Sequence, residues 1–169
     1  MPGERHDGRR ILAIGGPDRM EFLQGLVSND IRRSSEGLVY AAMLTPQGKY
    51  LADFFVVGEE DRLLLDVDAG LAPDLGKRLA MYRLRADVTI EDAEDRVALR
   101  GIDDAPDGAL ADPRHPSLGW RLYAPPDTPQ TPPVIDWDAI RVAACVPESG
   151  VELVPNETFL LEAGFERLN

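Results

Sequence analysis

Between Leu38 and Val67 the sequence alternates apolar segments with short turns, and this constrains the fold more than any other stretch. Leu38–Leu44 and Lys49–Val57 flank Thr45-Pro46-Gln47-Gly48, with proline second and glycine fourth as a type I turn favours. Gly58-Glu59-Glu60-Asp61 separates the second segment from a third, Arg62–Val67. Connections this short cannot carry the long crossover that parallel neighbours require, so the three strands form an antiparallel meander.

Arg10–Ile14 reads as a preceding strand closed by Gly15-Gly16. A helix is expected from Pro17 to about Asn29, because Met20, Leu23 and Val27 follow i, i+3, i+7. Gly25 inside it is expected to permit a close backbone approach. A second helix is expected over Pro73–Leu84, with Leu75, Leu79 and Tyr82 on one face. Asp87–Ile90 and Arg96–Leu99 read as strands around an acidic turn, Glu91–Asp95. Gly101–Ser117 reads as loop, Gly119–Tyr123 as a strand and Asp136–Ala144 as a short helix. Pro125–Pro133 holds five prolines and is neither helix nor inner strand. Strands outnumber helices without strict alternation, which predicts an α+β fold with antiparallel sheets and packed helices. The expected division is an antiparallel-sheet unit over 1–100 and a loop-rich second segment of the same unit over 101–169.

A net charge of −12 excludes a polyanion-binding surface over most of the molecule, so no direct nucleic-acid partner is expected. No apolar run is long enough for a membrane-spanning helix, so no membrane partner is expected either. The first ten residues lack the apolar core of a signal peptide. One cysteine forbids an internal disulfide, and Cys145 with His6 and His115 is a poor metal set, so no metal is expected. A cytoplasmic location follows as the expectation. Basic residues cluster at Arg9-Arg10, Arg32-Arg33 and Lys77–Arg85, as solvated faces or as a local anion site. Gly15-Gly16 is a tight turn or an anion cradle.

Asp53 stands out as one carboxylate in a strand with two apolar faces. Strict alternation places it with Leu51, Phe55 and Val57, opposite Tyr50, Ala52, Phe54 and Val56. A buried acid needs a partner. Asp53 is therefore either tied to an arginine or to backbone N–H groups, or reserved for a polar ligand on a concave wall beside Tyr40. Tyr40 offers a ring to stack and a hydroxyl to bond, or simply packs in the core. Asp66, ending the third strand, reads as an exposed acid at a loop edge that falls near the same sheet face.

Phe22-Leu23-Gln24-Gly25, Ser28-Asn29-Asp30 and the run from Tyr40 to Lys49 together resemble the YgfZ-type folate-binding proteins, relatives of the glycine-cleavage T protein, the aminomethyltransferase. Arg141-Val142, Val146-Pro147, Gly150, Glu152-Leu153, Pro155-Asn156-Glu157 and Leu161-Glu162-Ala163-Gly164 continue the resemblance in the same order. It implies a tetrahydrofolate-binding fold and a role in assembling or maintaining iron–sulfur clusters, including those of enzymes that modify tRNA. Folate and iron–sulfur client or assembly proteins are the implied partners. The resemblance also implies that Asp53 lies against the folate and serves catalysis. Tyr40, Asp66 and Glu162 are the further folate-binding positions it implies. The chain stops at Asn169 before the family's K-G-C-[aromatic]-x-G-Q-E signature and its C-terminal barrel domain, which implies a fragment or a short form. Two other functions stay open: an aminomethyltransferase acting on tetrahydrofolate, and a fragment that binds nothing and acts through protein contacts.

Overall fold

The structure, a computed structural model, describes residues 3–159 and 163–168. Glu162 therefore lies outside the described residues. The strands are β1 (Glu4–Arg5), β2 (Arg9–Gly15), β3 (Val39–Leu44), β4 (Tyr50–Gly58), β5 (Arg62–Asp68), β6 (Thr89–Asp92), β7 (Val97–Gly101), β8 (Leu110–Ala111) and β9 (Trp120–Ala124). The helices are α1 (Arg19–Gln24), α2 (Ala72–Tyr82) and α3 (Trp137–Ala143). One sheet has the order β3-β4-β5-β2-β6 and the other β1-β7-β9-β8, and all ladder pairings are antiparallel. The α+β class with antiparallel sheets is the one the turn spacing implied. The second sheet draws strands from both sides of residue 100.

The first sheet is covered on both faces, which explains why β4 is apolar throughout. Val39, Ala41, Phe54, Val56 and Leu65 face Leu23 of α1, Ile31, and Leu75 and Leu79 of α2. Tyr40, Ala42 and Phe55 face Leu118, Val146, Leu153 and Phe165 from later in the chain. A buried leucine or phenylalanine contributes roughly 1.5–3 kcal/mol, so these two layers carry most of the driving force.

Three local expectations are corrected. Helix α1 stops at Gln24 rather than near Asn29. The Gln24 side chain donates to the Asn29 carbonyl and accepts from the Ile31 N–H, while Ser28 bonds the backbone of Ala42 in β3. These contacts draw the chain off the helix axis and along the sheet edge. Gly25 meets only ordinary contacts and serves as the helix C-cap. Helix α2 ends at Tyr82, and Leu84 takes a left-handed conformation, φ 46°. The turn carries Tyr82 out of the core stripe, leaving it half exposed.

The third correction matters most for the site. Met43 pairs with Ala52 but Leu44 pairs with Tyr50, so Leu51 is an extra, bulged residue in β4. The bulge breaks the alternation. Tyr50 turns to the face of Asp53 and Phe55, while Leu51 joins the opposite layer.

Candidate functional site

The structure joins Tyr40 and Asp53 directly. Asp53 is 5% exposed and accepts hydrogen bonds from the hydroxyls of Tyr40 at 2.5 Å, of Ser149 at 2.5 Å, and of Tyr50. Burial and the Asp53 charge both push the Tyr40 and Tyr50 hydroxyls above the usual tyrosine range, so they stay protonated donors. The Tyr40 ring packs on Phe55 and stacks on Phe165, at 5.2 and 5.3 Å between centroids. The expectation of an Asp53 carboxylate open to a ligand is thus corrected. Its partners are three hydroxyls, one of them reached from 96 residues away.

Asp66 is also misplaced by the sequence reading. It is 1% exposed, not an exposed loop-edge acid. Arg9 and Arg121 each approach its carboxylate to 2.6 Å, and the Tyr123 hydroxyl donates at 2.9 Å. Burial alone raises a carboxyl pKa, but the two guanidiniums outweigh it and hold Asp66 below the carboxylate range. It does lie on the same sheet face as Asp53, since it pairs across strands with Phe55. The Arg121 guanidinium sits 4.3 Å from the Phe55 ring and that of Arg114 sits 4.6 Å from it. A layer of arginines over aromatic rings therefore links the Asp66 cluster to Tyr40 and Asp53.

Beyond that layer opens a cavity of about 480 Å³, lined among others by His6, Arg100, Arg114, Arg121, Trp137 and Arg141. Neither Tyr40 nor Asp53 lines it. Arg100 on β7 and Arg121 on β9 are direct cross-strand partners, so both side chains leave the same sheet face. Like charges in that relation repel. Arg121 is ion-paired with Asp66, which it shares with Arg9, whereas Arg100 makes no ion pair among the described residues and its Nε is buried without a hydrogen-bond partner. Burial and Arg121 push the Arg100 pKa down to about 10. Its guanidinium lies 4.3 Å from the Trp137 ring. The acids of the wall are already engaged. Glu4 accepts from Trp137 Nε1 and the N–H groups of Val134 and Ile135, Asp112 is paired with Arg114, Asp138 and Glu148 with Arg141, Asp7 with Arg5, and Asp136 caps α3; Glu4 and Glu148 also act on the Arg100 charge from a distance. His6 accepts at Nδ1 from Arg121, and burial with the neighbouring arginines depresses its pKa, keeping the ring neutral.

The wall mixes acids and arginines, and its distinctive spot is Arg100, which makes no ion pair among the described residues and lies over the Trp137 ring. Arginine presents a planar fork of donors to a carboxylate, and Trp137 supplies an aromatic wall. The sequence reading missed Arg100, Arg114, Arg121 and Trp137. The signal within reach was an arginine at the end of one predicted strand, Arg96–Leu99, and another inside Gly119–Tyr123, but Arg100 falls one residue past the predicted end and pairing the two requires the register of the second sheet. The Gly15-Gly16 pair, by contrast, makes a tight turn. Gly16 has φ 96°, and a Cβ there would stand 2.2 Å from the Asp87 carbonyl oxygen. Among the described residues no group of three or more His, Cys, Asp or Glu is arranged to hold a metal ion, and no helix is long and apolar enough to cross a membrane.

No family model matches the chain. It is 34% identical over 139 residues to the mitochondrial iron–sulfur cluster assembly factor IBA57 homolog of Pyricularia oryzae, covering 73% of this chain and 36% of that protein. It is 29% identical over 200 residues to mitochondrial IBA57 of Homo sapiens, covering 98% and 56% respectively. The chain thus spans between about a third and a little over half of these relatives. It is also 32% identical over 95 residues to the aminomethyltransferase of Bacillus subtilis, covering 54% of this chain and 25% of that protein. Among solved structures, the glycine cleavage system aminomethyltransferase T of Bartonella henselae superposes with a TM-score of 0.51 at 23% identity, over 57% of this chain and 27% of that one. The mitochondrial assembly factors overturn the cytoplasmic location expected from the sequence. A single unpaired cysteine excludes a disulfide framework without distinguishing one reducing compartment from another. The shared fold and the sequence similarity to these proteins support membership of the glycine-cleavage T-protein superfamily.

Proposed function

We propose that this chain is the folate-binding unit of a protein, of the YgfZ and IBA57 kind, that supports iron–sulfur cluster assembly. One observation carries the folate reading: the cross-strand pair Arg100–Arg121 faces a cavity of about 480 Å³ in which Arg100 makes no ion pair among the described residues and keeps its Nε without a hydrogen-bond partner. That volume lies inside the ~300–1,000 Å³ range of small-molecule sites. A folate offers glutamyl carboxylates and an aromatic aminobenzoyl ring, which match the unpaired Arg100 and the Trp137 face. Arg100, Arg114 and Trp137 are the residues that would hold it. Bound folate would supply a carrier for one-carbon units. Tyr40, Asp53 and Asp66 act behind this wall, fixing the arginine layer rather than touching the ligand. The assembly role rests on the similarity to the two IBA57 proteins, with iron–sulfur enzymes, those modifying tRNA included, as clients.

Calorimetric titration with tetrahydrofolate tests the site. Arg100→Gln should weaken binding by about 1.5–3 kcal/mol, the loss of one charged hydrogen-bonding partner. Unchanged affinity in this variant removes the cavity from consideration. Deletion of the encoding gene should lower iron–sulfur enzyme activities in the host, and normal activities would dismiss the assembly role. A second reading, aminomethyl transfer to tetrahydrofolate, is favoured by the aminomethyltransferase similarity. The enclosure of Asp53 by three hydroxyls weighs against it, because a general acid or base must reach the proton it moves. Turnover with an aminomethyl-lipoyl carrier protein would favour the transferase.

A further inference from the structure

The end of α2 is built unlike the rest of the surface. Residues 80–85 are all exposed, and three of them are large and apolar: Met81 at 66%, Tyr82 at 48% and Leu84 at 87%. Large apolar patches are uncommon on a monomer surface and mark interaction sites, and here three big apolar side chains are exposed within four residues of chain. The inner face of the same helix is ordinary core, with Ala72, Leu75 and Leu79 buried, so the outer patch is not a packing requirement of the fold. Leu84 is held in a left-handed conformation, φ 46°, where a branched side chain is disfavoured, and that turn is what projects it into solvent. Lys77, one helical turn before Met81, and Arg83 and Arg85, which flank Leu84 in the chain, form no ion pair among the described residues, whereas Arg78 is paired with Asp74. The patch is thus locally cationic on a chain of net charge −12.

We propose that the α2 C-terminal patch of Met81, Tyr82 and Leu84, framed by Lys77, Arg83 and Arg85, docks an acidic amphipathic segment of a partner protein. Charge decides among occupants. A second copy meeting this patch with its own would set arginines against arginines, as a two-fold contact requires the same surface on both sides. An anionic bilayer would attract the three cations but repel the remainder of a strongly acidic molecule, and three apolar side chains are a small anchor for a membrane. A segment carrying leucines on one stripe and glutamates beside it satisfies both halves of the patch at once, and the cations steer its approach. The patch does not line the arginine cavity, so a ligand there and a partner here can be held together.

The probe is a fluorescein-labelled helical peptide with a leucine stripe flanked by glutamates, with a lysine-flanked peptide as its counterpart, followed by anisotropy. The glutamate peptide should bind more weakly as salt rises, and the lysine peptide should not bind. Met81→Ser/Leu84→Ser and Arg83→Glu/Arg85→Glu should each weaken binding by about tenfold or more, the loss of a hot-spot contact. Because these side chains are exposed, both variants should keep the parent melting temperature. Hydroxyl-radical footprinting should oxidise Met81 freely in the protein alone and less when the glutamate peptide is present. Equal binding of the two peptides, or protection of Met81 without peptide, overturns the proposal. So does capture by anionic vesicles in preference to the peptide, or a dimer in sedimentation that Met81→Ser/Leu84→Ser abolishes.

Discussion

Replacing Asp66 with asparagine keeps the shape of the side chain and removes the charge on which two arginines rely. The Arg121 side chain is 2% exposed and that of Arg9 11% exposed, so neither guanidinium regains water without moving the sheet. Breaking a buried ion pair by deleting one partner costs about 3–5 kcal/mol. For a domain of this size each kcal/mol lowers Tm by roughly 2–4 °C, which places the Asp66→Asn loss at about 6–20 °C. Arg121→Met should cost less, because Arg9 and Tyr123 still donate to the remaining carboxylate. The pH dependence has a definite sign. The folded-state pKa of Asp66 is depressed, so its contribution is complete above the unfolded value of ~3.9 and is lost as pH falls toward the folded value. Urea unfolding of parent and variant, followed by circular dichroism with m-values compared, measures the difference. A destabilisation below about 1 kcal/mol, or a difference that stays constant from neutral pH to well below ~3.9, would refute the account of Asp66 as the buried hub.

Tyr40→Phe removes one of three hydroxyl donors to Asp53 and should cost about 1.5–3 kcal/mol, while Asp53→Ala, which orphans Tyr40, Tyr50 and Ser149 together, should cost more, both read by denaturant titration. His6 is held neutral in the folded state, so its contribution is present above the unfolded pKa of ~6.5 and is lost as pH falls below it; His6→Gln should flatten the stability curve between about pH 5 and 6.5, and an unchanged slope speaks against the Arg121 contact. Gly16→Ala and Gly48→Ala both force alanine to positive φ, at roughly 1–2 kcal/mol. A Cβ at Gly16 also strikes the Asp87 carbonyl while one at Gly48 meets open space, so thermal melts should rank Gly16→Ala as clearly the worse.

β2 to β5, β7 and β9 were legible because each is a continuous or alternating apolar run between turn residues; the two-residue strands β1 and β8, the latter inside the expected loop Gly101–Ser117, and the acidic end of β6 were not, because they are strands only through their pairing. The length of α1 was not, because what stops it is Gln24 bonding residues beyond the helix and Ser28 bonding β3, neither of which a periodicity senses. Tyr50 was assigned to the wrong face for a related reason. One bulged residue, Leu51, inverts the alternation behind it, and no residue type in the run announces the bulge. Asp53 was legible as an acid in an apolar strand, and Tyr40 as its neighbour. Its enclosure was not, since Ser149 comes from the far end of the chain. Asp66 misled because its partners, Arg9 and Arg121, lie 57 and 55 residues away. The arginine cavity required knowing that Arg100 faces Arg121, a fact of sheet register rather than of sequence.

The pairing of β1 with β7 sets an order of events in time. The five-stranded sheet uses only residues 9–92, and two of its four ladders join strands consecutive in the chain. The edge strand holding Glu4 instead pairs with Arg100, and its carboxylate then gathers Val134, Ile135 and Trp137. Closures over such separations lose more chain entropy before they return any contact energy, so they belong late on the folding route. Late contacts govern how fast a native state is lost rather than how fast it is gained. Glu4→Gln should accordingly speed unfolding in a stopped-flow chevron and leave the folding limb in place. On this account the wall that carries Trp137 belongs to the part of the molecule that opens at the lowest cost, and hydrogen exchange of the Val134 and Ile135 amides should report that opening.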